Sequence, residues 1–148
     1  SGTAMTVTGP VPVEELGVDE KIASFVLPLG MTINMDGTAI MQVIATLFIA
    51  GCAGYSISFT QLVVIALLAL IASAGTPAAP GSGAIILFTI LSGLGYVNDA
   101  AMLAYSLILA INRPIEMLVT ALNVVGDSAT SIYVAKSEGV LNEDVYNA

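Results

Sequence analysis

Five polar side chains recur along one apolar segment in the second half of the chain. They are Arg113, Glu116, Thr120, Asn123 and Asp127, spaced by three, four, three and four residues. At the angular step of an α-helix they fall within an arc of about 80°. Ionisable groups inside a membrane-length apolar helix are costly and mark functional sites. Contact between helices is the alternative explanation of such a stripe, but that role rarely needs three ionised groups.

The charges inside the apolar segments do not cancel. Arg113 and Glu116 are three residues apart on one helix and can neutralise each other, whereas Asp36 and Asp127 are left without a basic partner. A buried acid without a partner takes up a proton or binds a cation. We favour Na⁺, with H⁺ as the alternative, because backbone carbonyls at helix breaks bind Na⁺ in transporters with discontinuous helices.

Composition places these groups in a membrane protein. Of the 148 residues, 57% are hydrophobic and 9% are charged, and no charged residue occurs between positions 37 and 98. Soluble domains are about one-quarter charged, so this composition predicts an all-α integral membrane chain. The chain has no histidine, one cysteine and no basic cluster. It is therefore predicted not to be an enzyme and not to bind nucleic acid.

The apolar segments that position the charged groups are interrupted. Residues 22–52 contain the sequence Asn-Met-Asp-Gly-Thr at 34–38, which disfavours a helix interior and predicts a broken helix. Residues 100–136 are too long for one upright span, and Pro114 together with the polar stretch that begins at Asn123 predicts a second helix that is kinked or broken. The breaks are expected to free the backbone carbonyls of residues 30–34 and of Asn123 for a cation.

Between the two broken helices lies a predicted re-entrant helical hairpin, residues 61–96. Its limbs, 61–74 and 84–96, each extend only about 20 Å, short of the hydrocarbon core of about 30 Å. The tip at 75–83 contains two prolines and three glycines, which end any helix. The freed N–H groups at the start of the second limb are suited to an anionic group of a substrate.

Three motifs occur in a recognisable order. Residues 27–38 read LPLGMTINMDGT, the tip at 75–83 reads GTPAAPGSG, and residues 123–127 read NVVGD. Over residues 15–138, the chain resembles the sodium-coupled glutamate transporter family, the dicarboxylate/amino acid:cation symporters. The resemblance implies residues 1–21 as the end of a first hairpin plus an interfacial linker, 22–136 as a transport-domain core, and 137–148 as a polar tail.

The resemblance also implies ligands for three Na⁺ ions. The first site would use the backbone carbonyls of Gly30, Asn34 and Asn123 and the carboxylate of Asp127. The second would use the carbonyls of Thr32, Ser73, Ala74 and Thr76, with Met35 nearby. The third would use the side chains of Asn34 and Asp36, completed by an earlier helix that this chain lacks. Substrate contacts would come from Thr38, Ala79, Gly83, Glu116, Thr120 and Asn123.

Two positions depart from the family pattern. Members that carry acidic substrates have an arginine immediately before the threonine matched by Thr120, and this chain has Val119 there. Loss of a bidentate partner for a side-chain carboxylate favours a neutral substrate. Arg113, about 10 Å away along the helix, is the alternative partner for a longer dicarboxylate. Glu116 replaces the family aspartate that binds the substrate amino group, and pairing with Arg113 is its alternative role.

The predicted function is Na⁺-coupled symport of a small amino acid, neutral by preference, or of a carboxylate. The resemblance implies a homotrimer in the full-length protein, an elevator movement, contact with membrane lipid, and a bacterial or archaeal inner membrane. This chain is then expected to be the carboxy-terminal part of the transporter. Two alternatives stay open, namely a proton-coupled symporter of the same fold and a truncated membrane protein that does not transport.

Overall fold

The computed structural model describes residues 9–75, 79 and 81–148, and within these ranges the chain contains helices and loops but no strand. The described residues form seven helices. They are α1 (Val11–Glu14), α2 (Glu20–Ile33), α3 (Asp36–Cys52), α4 (Phe59–Ala74), α5 (Ser82–Leu94), α6 (Asp99–Ser137) and α7 (Glu143–Tyr146). The predicted all-helical class is confirmed for the described residues. Of residues 1–21, expected to hold the end of a first hairpin and a linker, positions 1–8 lie outside the described part of the chain.

The first long apolar segment is divided where its polar sequence begins. The Asp19 side chain accepts from Lys21 N at 2.9 Å and so caps the start of α2. The helix ends at Ile33, because Asn34 and Met35 both leave the helical region of backbone conformation. The chain then re-enters a helix at Asp36. The interruption is two residues long, shorter than the five-residue polar motif from which it was predicted.

The next two helices are the limbs of the predicted hairpin. A capping box, in which Ser58 and Gln61 exchange side-chain and backbone hydrogen bonds, starts the 16-residue α4. The 13-residue α5 starts after Gly81 and ends before Gly95, and both glycines have positive φ (83° and 74°). Glycine adopts this backbone conformation without the steric cost that other residues pay. The tip therefore lies between two short helices, and Gly81 marks the point where the tip ends and α5 begins.

The long helix α6 is continuous, so the predicted break within residues 100–136 is wrong. All 39 residues from Asp99 to Ser137 are helical. Pro114 removes one backbone N–H donor. The loss of this one donor does not end α6, which continues as a helix before and after the proline. The Asn123 side chain is engaged by another helix, since its Oδ1 accepts from Gly37 N at 2.8 Å. It therefore does not compete for the backbone of its own helix.

Packing centres on α6, which runs along α2 and α3. One core cluster joins α3, α4, α5 and α6 through fully buried side chains such as Ile49, Ile65 and Leu91. A second cluster joins α2 to the far end of α6 through Leu27 and Ala135. The outer surface is also apolar, because many large hydrophobic side chains are exposed there. Among them are Phe25, Phe48, Phe59, Leu103, Leu107, Met117 and Leu118.

The two long helical stretches have the dimensions of membrane spans. By length and composition, Glu20–Cys52 (with its two-residue break) and Asp99–Ser137 are each long and apolar enough to cross a bilayer. The segment after α6 returns to the loop before α2, where Asn142 N donates to Gly17 O at 2.8 Å. Leu16 and Leu141, from these two segments, pack against the same core cluster.

Candidate ion and substrate site

The break between α2 and α3 lies directly against α6. Gly37 N, in the first turn of α3, donates to Asn123 Oδ1 at 2.8 Å, and Asn123 Nδ2 donates to Thr38 Oγ1 at 3.2 Å. On the other side of the break, Asn34 Nδ2 donates to Asp127 Oδ1 at 2.8 Å. These three hydrogen bonds join residues 85 to 93 positions apart in sequence. The structure therefore brings together two of the motifs that carry the resemblance.

Glycine permits this close approach on both helices. A Cβ atom at Gly30 would collide with the Asp127 carboxylate. A Cβ atom at Gly126 would lie 2.8 Å from Asn34 Nδ2 and 3.0 Å from Asp36 Oδ2, closer than side chains normally approach. Both carboxylates and the Asn34 amide therefore lie around one crossing point of α2 and α6. Any larger residue at these two positions would displace the groups that could face a cation.

The two acids differ in burial, which corrects the expectation that both are enclosed. Asp127 is 2% exposed, whereas Asp36 is exposed on the surface of this chain. Asp36 is the first residue of α3, where the positive end of the helix dipole favours a carboxylate. The described residues contain no cluster of three or more acidic or thiol side chains. A cation held here would therefore draw most of its ligands from carbonyl and amide oxygens.

The backbone carbonyls at this point are less free than the sequence predicted. Gly30 O accepts from Asn34 N at 2.8 Å and so completes the last turn of α2. Asn123 lies inside the uninterrupted α6, where carbonyls bond to the residue four positions on. The prediction that both carbonyls are released from helix bonding is therefore wrong. A carbonyl oxygen has a second lone pair, so either one can still contact a cation.

A cluster of buried polar side chains continues from the break toward the middle of α6. Met35 and Thr38 are 6% and 7% exposed, and Asn123 is 4% exposed. The Met35 sulfur accepts from Asn123 Nδ2 at 3.5 Å and from Thr38 Oγ1 at 3.6 Å. Thr120 is half-buried one turn earlier on the same face of α6. Hydroxyl and amide groups at this spacing can hold the polar end of a small solute.

The structure describes three of the four residues expected to supply carbonyl ligands to the second Na⁺ site. Thr32 is exposed, and its hydroxyl donates to Pro28 O at 3.4 Å. Ser73 is 1% exposed, and its hydroxyl donates to Leu70 O at 2.9 Å. Ala74 is half-buried and Thr76 lies outside the described residues. Both hydroxyl oxygens keep lone pairs that could face an ion, and the use of the backbone carbonyls stays a prediction of the resemblance.

Among the described residues of the hairpin tip, Gly81 hydrogen-bonds to a carboxylate on α6. Gly81 N donates to Glu116 Oε1 at 3.1 Å, and Glu116 Oε2 lies 3.4 Å from Arg113 Nη1. The Glu116 side chain is 19% exposed, but that of Arg113 is 73% exposed. Ala79 is exposed at the tip, and Gly83 is half-buried at the start of α5. Of the expected substrate residues, Glu116 is thus the one bonded to both the hairpin and Arg113.

Two residues that hold the hairpin were missed from the sequence. Gln42 is fully buried, and its Nε2 donates to Gly83 O at 2.8 Å. The Tyr105 hydroxyl donates to Ala84 O at 3.0 Å. Gln42 did carry a signal, since it follows Thr38 by one helical turn within a segment that is otherwise apolar and uncharged. Tyr105 carried none, because its partner is a backbone carbonyl of another helix.

In the part of the chain that the structure describes, all regular elements are helices, the exterior is apolar, and polar groups gather where a membrane-length helix is interrupted. This is the architecture of an integral-membrane transporter. Residues 1–137 match the family described as the Sodium:dicarboxylate symporter family, and the chain belongs to that family. The resemblance drawn from the three motifs is thereby confirmed.

Similar proteins point the same way. The chain is 38% identical over 129 residues to the "Excitatory amino acid transporter" of Caenorhabditis elegans, a match that covers 86% of this chain and 25% of that protein. It is 38% identical over 146 residues to "Excitatory amino acid transporter 2" of Homo sapiens, with 93% and 25% covered. The chain therefore spans about a quarter of the length of these relatives.

Proposed function

We propose that this chain is the carboxy-terminal part of a secondary active transporter that couples Na⁺ to the uptake of a small, neutral amino acid. The observation that carries the proposal is the enclosed Asp127 carboxylate, bonded to Asn34 across the break between α2 and α3. Family membership supports cation-coupled transport of amino acids or carboxylates. The proposal adds the ion site, the substrate class and the hairpin's role.

The ion site rests on charge balance around Asp127. One amide hydrogen bond compensates only partly for the removal of a carboxylate from water. Asp36 contributes a second negative charge at the same crossing point, next to Gly126. A Na⁺ ion among the Asp127 carboxylate, the Asn34 amide and nearby carbonyls would offset both charges. H⁺ is the alternative, and it would neutralise one carboxylate without requiring any of the surrounding oxygens.

The neutral substrate rests on the surroundings of position 119. Val119 lines an apolar groove between α3 and α6 of about 450 Å³, together with side chains such as Ile40 and Ile115. Arg113, the basic residue nearest the site in sequence, is mostly exposed and pairs with Glu116. A valine at position 119 also has no side-chain donor that could bind a second carboxylate of the substrate. An ammonium group, in contrast, has Glu116 within the site.

The hairpin formed by α4 and α5 is proposed to be re-entrant and to act as the substrate gate. Its limbs are too short to cross the bilayer, at about 24 and 20 Å. Its tip lies against Glu116, one helical turn from Thr120. Homotrimeric assembly, an elevator movement and contact with lipid are proposed from family membership. A bacterial or archaeal inner membrane stays a prediction, since the relatives named above are animal proteins.

Uptake by the full-length protein in proteoliposomes tests the proposal. Radiolabelled alanine is expected to accumulate with an inward Na⁺ gradient and to stop accumulating when choline replaces Na⁺. Asp127→Asn keeps an oxygen that can accept from Asn34 but removes the charge, so it should reduce Na⁺-driven uptake at least tenfold. Asp99→Asn is the matched control, because Asp99 is an exposed acid in the first turn of the same helix.

The outcomes separate the alternatives. Uptake that follows a pH gradient and is unchanged in choline would replace Na⁺ by H⁺. Uptake of aspartate or succinate in preference to alanine would contradict the neutral substrate and give Arg113 the role of a carboxylate partner. No uptake of any of the three under either gradient would favour a membrane protein that does not transport.

A further inference from the structure

The hydrogen bond from the hairpin tip to Glu116 depends on the length of that side chain, and it adds to the bond from Tyr105 to Ala84 O. Glu116 Oε1 accepts from Gly81 N at 3.1 Å, and the Cβ position of Gly83 lies 4.0 Å from the same oxygen. Gly81 is the N-cap residue of α5, with φ of 83°. A single carboxylate on α6 is thus bonded to the backbone of the tip.

An aspartate at position 116 would not make this bond. Removing one methylene withdraws the carboxylate by about 1.5 Å, the length of a carbon–carbon bond. The distance from Gly81 N would then reach about 4.6 Å, beyond any hydrogen bond. A glutamine keeps the same reach and retains an oxygen that accepts. Length and charge at this position can therefore be tested separately.

The second oxygen of Glu116 is held weakly. Its partner, Arg113, is 73% exposed and lies 3.4 Å away, and an ion pair of this kind contributes little to stability. A cationic group that enters the site can therefore replace Arg113 at Oε2, while Oε1 remains bonded to Gly81. Binding of the ligand and retention of the hairpin would then involve the same carboxylate.

We propose that Glu116 is a positioning residue that holds the hairpin against α6 through Gly81, and that it exchanges Arg113 for the ammonium group of an amino acid without releasing the hairpin. The inference rests on the proposed function, because it assigns the hairpin as the gate of the substrate site. It deepens that function by identifying what keeps the gate closed when no substrate is bound. Glu116 therefore acts on substrate retention as well as on substrate charge.

Distances between spin labels in the full-length protein test this proposal. Native cysteines, including Cys52, are replaced, and labels are placed at Ile85→Cys on α5 and Met117→Cys on α6, which are 70% and 72% exposed. Without substrate, Glu116→Asp should raise the ratio of long to short inter-label distances by about tenfold or more, the effect of losing one hydrogen bond to a charged group. Glu116→Gln should stay within about twofold of the unsubstituted protein.

A second measurement separates positioning from a general structural role. Glu116→Gln should raise the KM for alanine at least about tenfold, because it removes the charge that binds the ammonium group, while the hairpin stays closed. Glu138→Asp is the matched control, an exposed acid just beyond the end of α6, and should change neither quantity. If Glu116→Asp does not fold, amide hydrogen exchange is measured at Gly81, which should be protected equally in the unsubstituted protein and in Glu116→Gln.

Each result decides the proposal. Distances in Glu116→Asp that match the unsubstituted protein, or an equal opening in Glu116→Gln, would overturn it. So would a Gly81 amide that exchanges as fast as an unprotected loop. Because these measurements do not depend on transport, a failure of Na⁺-driven uptake with the expected distances would remove the proposed function and leave the link between Glu116 and Gly81 standing.

Discussion

Replacement of Gly37 by alanine tests how closely α3 and α6 must pack. Gly37 is buried in the first turn of α3. An added Cβ would lie 2.7 Å from the backbone oxygen of Val119 and 3.2 Å from Asn123 Oδ1, whereas ordinary contacts begin at 3.4 Å. Because the nearest atom belongs to the backbone of a long helix, no side-chain rotation relieves the clash. The two helices would have to separate by about 0.7 Å.

This separation has a calculable cost. It stretches the hydrogen bond from Gly37 N to Asn123 Oδ1 from 2.8 Å to about 3.5 Å, at which it is effectively lost. A buried donor without a partner costs about 1–3 kcal/mol. The intrinsic helix preference of alanine over glycine returns about 0.5–1 kcal/mol. We therefore expect Gly37→Ala to lower the free energy of unfolding by about 1–2 kcal/mol.

The assay is thermal unfolding of the full-length protein in detergent, with Na⁺ or choline. Gly51→Ala is the matched control, since Gly51 lies on the same helix and an added Cβ there meets nothing within 4 Å. It should keep or raise the melting temperature, whereas Gly37→Ala should lower it. Stabilisation by Na⁺ should also shrink in Gly37→Ala, because the displaced Asn123 belongs to the proposed ion site. A Gly37→Ala protein as stable as Gly51→Ala would refute the packing argument.

Two further predictions concern groups that the sequence did not single out. Tyr105→Phe loses the hydrogen bond to Ala84 O and should lower the free energy of unfolding by about 0.5–1.5 kcal/mol, whereas Tyr133→Phe, at a site 76% exposed, should change it little. An equal effect of both would contradict the role given to the Tyr105 hydroxyl. Thr46 is fully buried, and its hydroxyl has no hydrogen-bond partner among the described residues, so Thr46→Val should leave the melting temperature unchanged or raise it. Thr60→Val, at an exposed position on α4, is the control. A larger drop in melting temperature for Thr46→Val than for this control would show that the Thr46 hydroxyl is hydrogen-bonded.

Local sequence was sufficient for the class of protein and for the first break. A long uncharged stretch and a nine per cent share of charged residues exclude a soluble fold whatever the tertiary contacts are. The interruption at Asn34 and Met35 was predictable because the residues around it disfavour a helix interior on their own. The same reasoning failed for α6, where Asn123 bonds to α3 instead of to its own backbone.

The stripe on α6 shows where residue spacing stops being informative. Spacing alone placed Glu116 and Asp127 on one face of a helix, since helical periodicity does not depend on neighbours. It could not show that Asp127 is enclosed against Gly30 while Asp36 is exposed on the chain surface, because burial depends on the elements that pack around a residue.

The sequence by itself was enough to predict a membrane protein in which two acids lack a basic partner. It also predicted a polar stripe on one helix and short helices around a proline- and glycine-rich tip. These are consequences of composition and local periodicity. Only the tertiary structure decided that α6 is uninterrupted, that Gln42 and Tyr105 hold the start of α5, and that Glu116 bonds to the tip through Gly81. Each of these features depends on hydrogen bonds between residues that are 21 to 86 positions apart in sequence. Such residues meet only once the helices have packed.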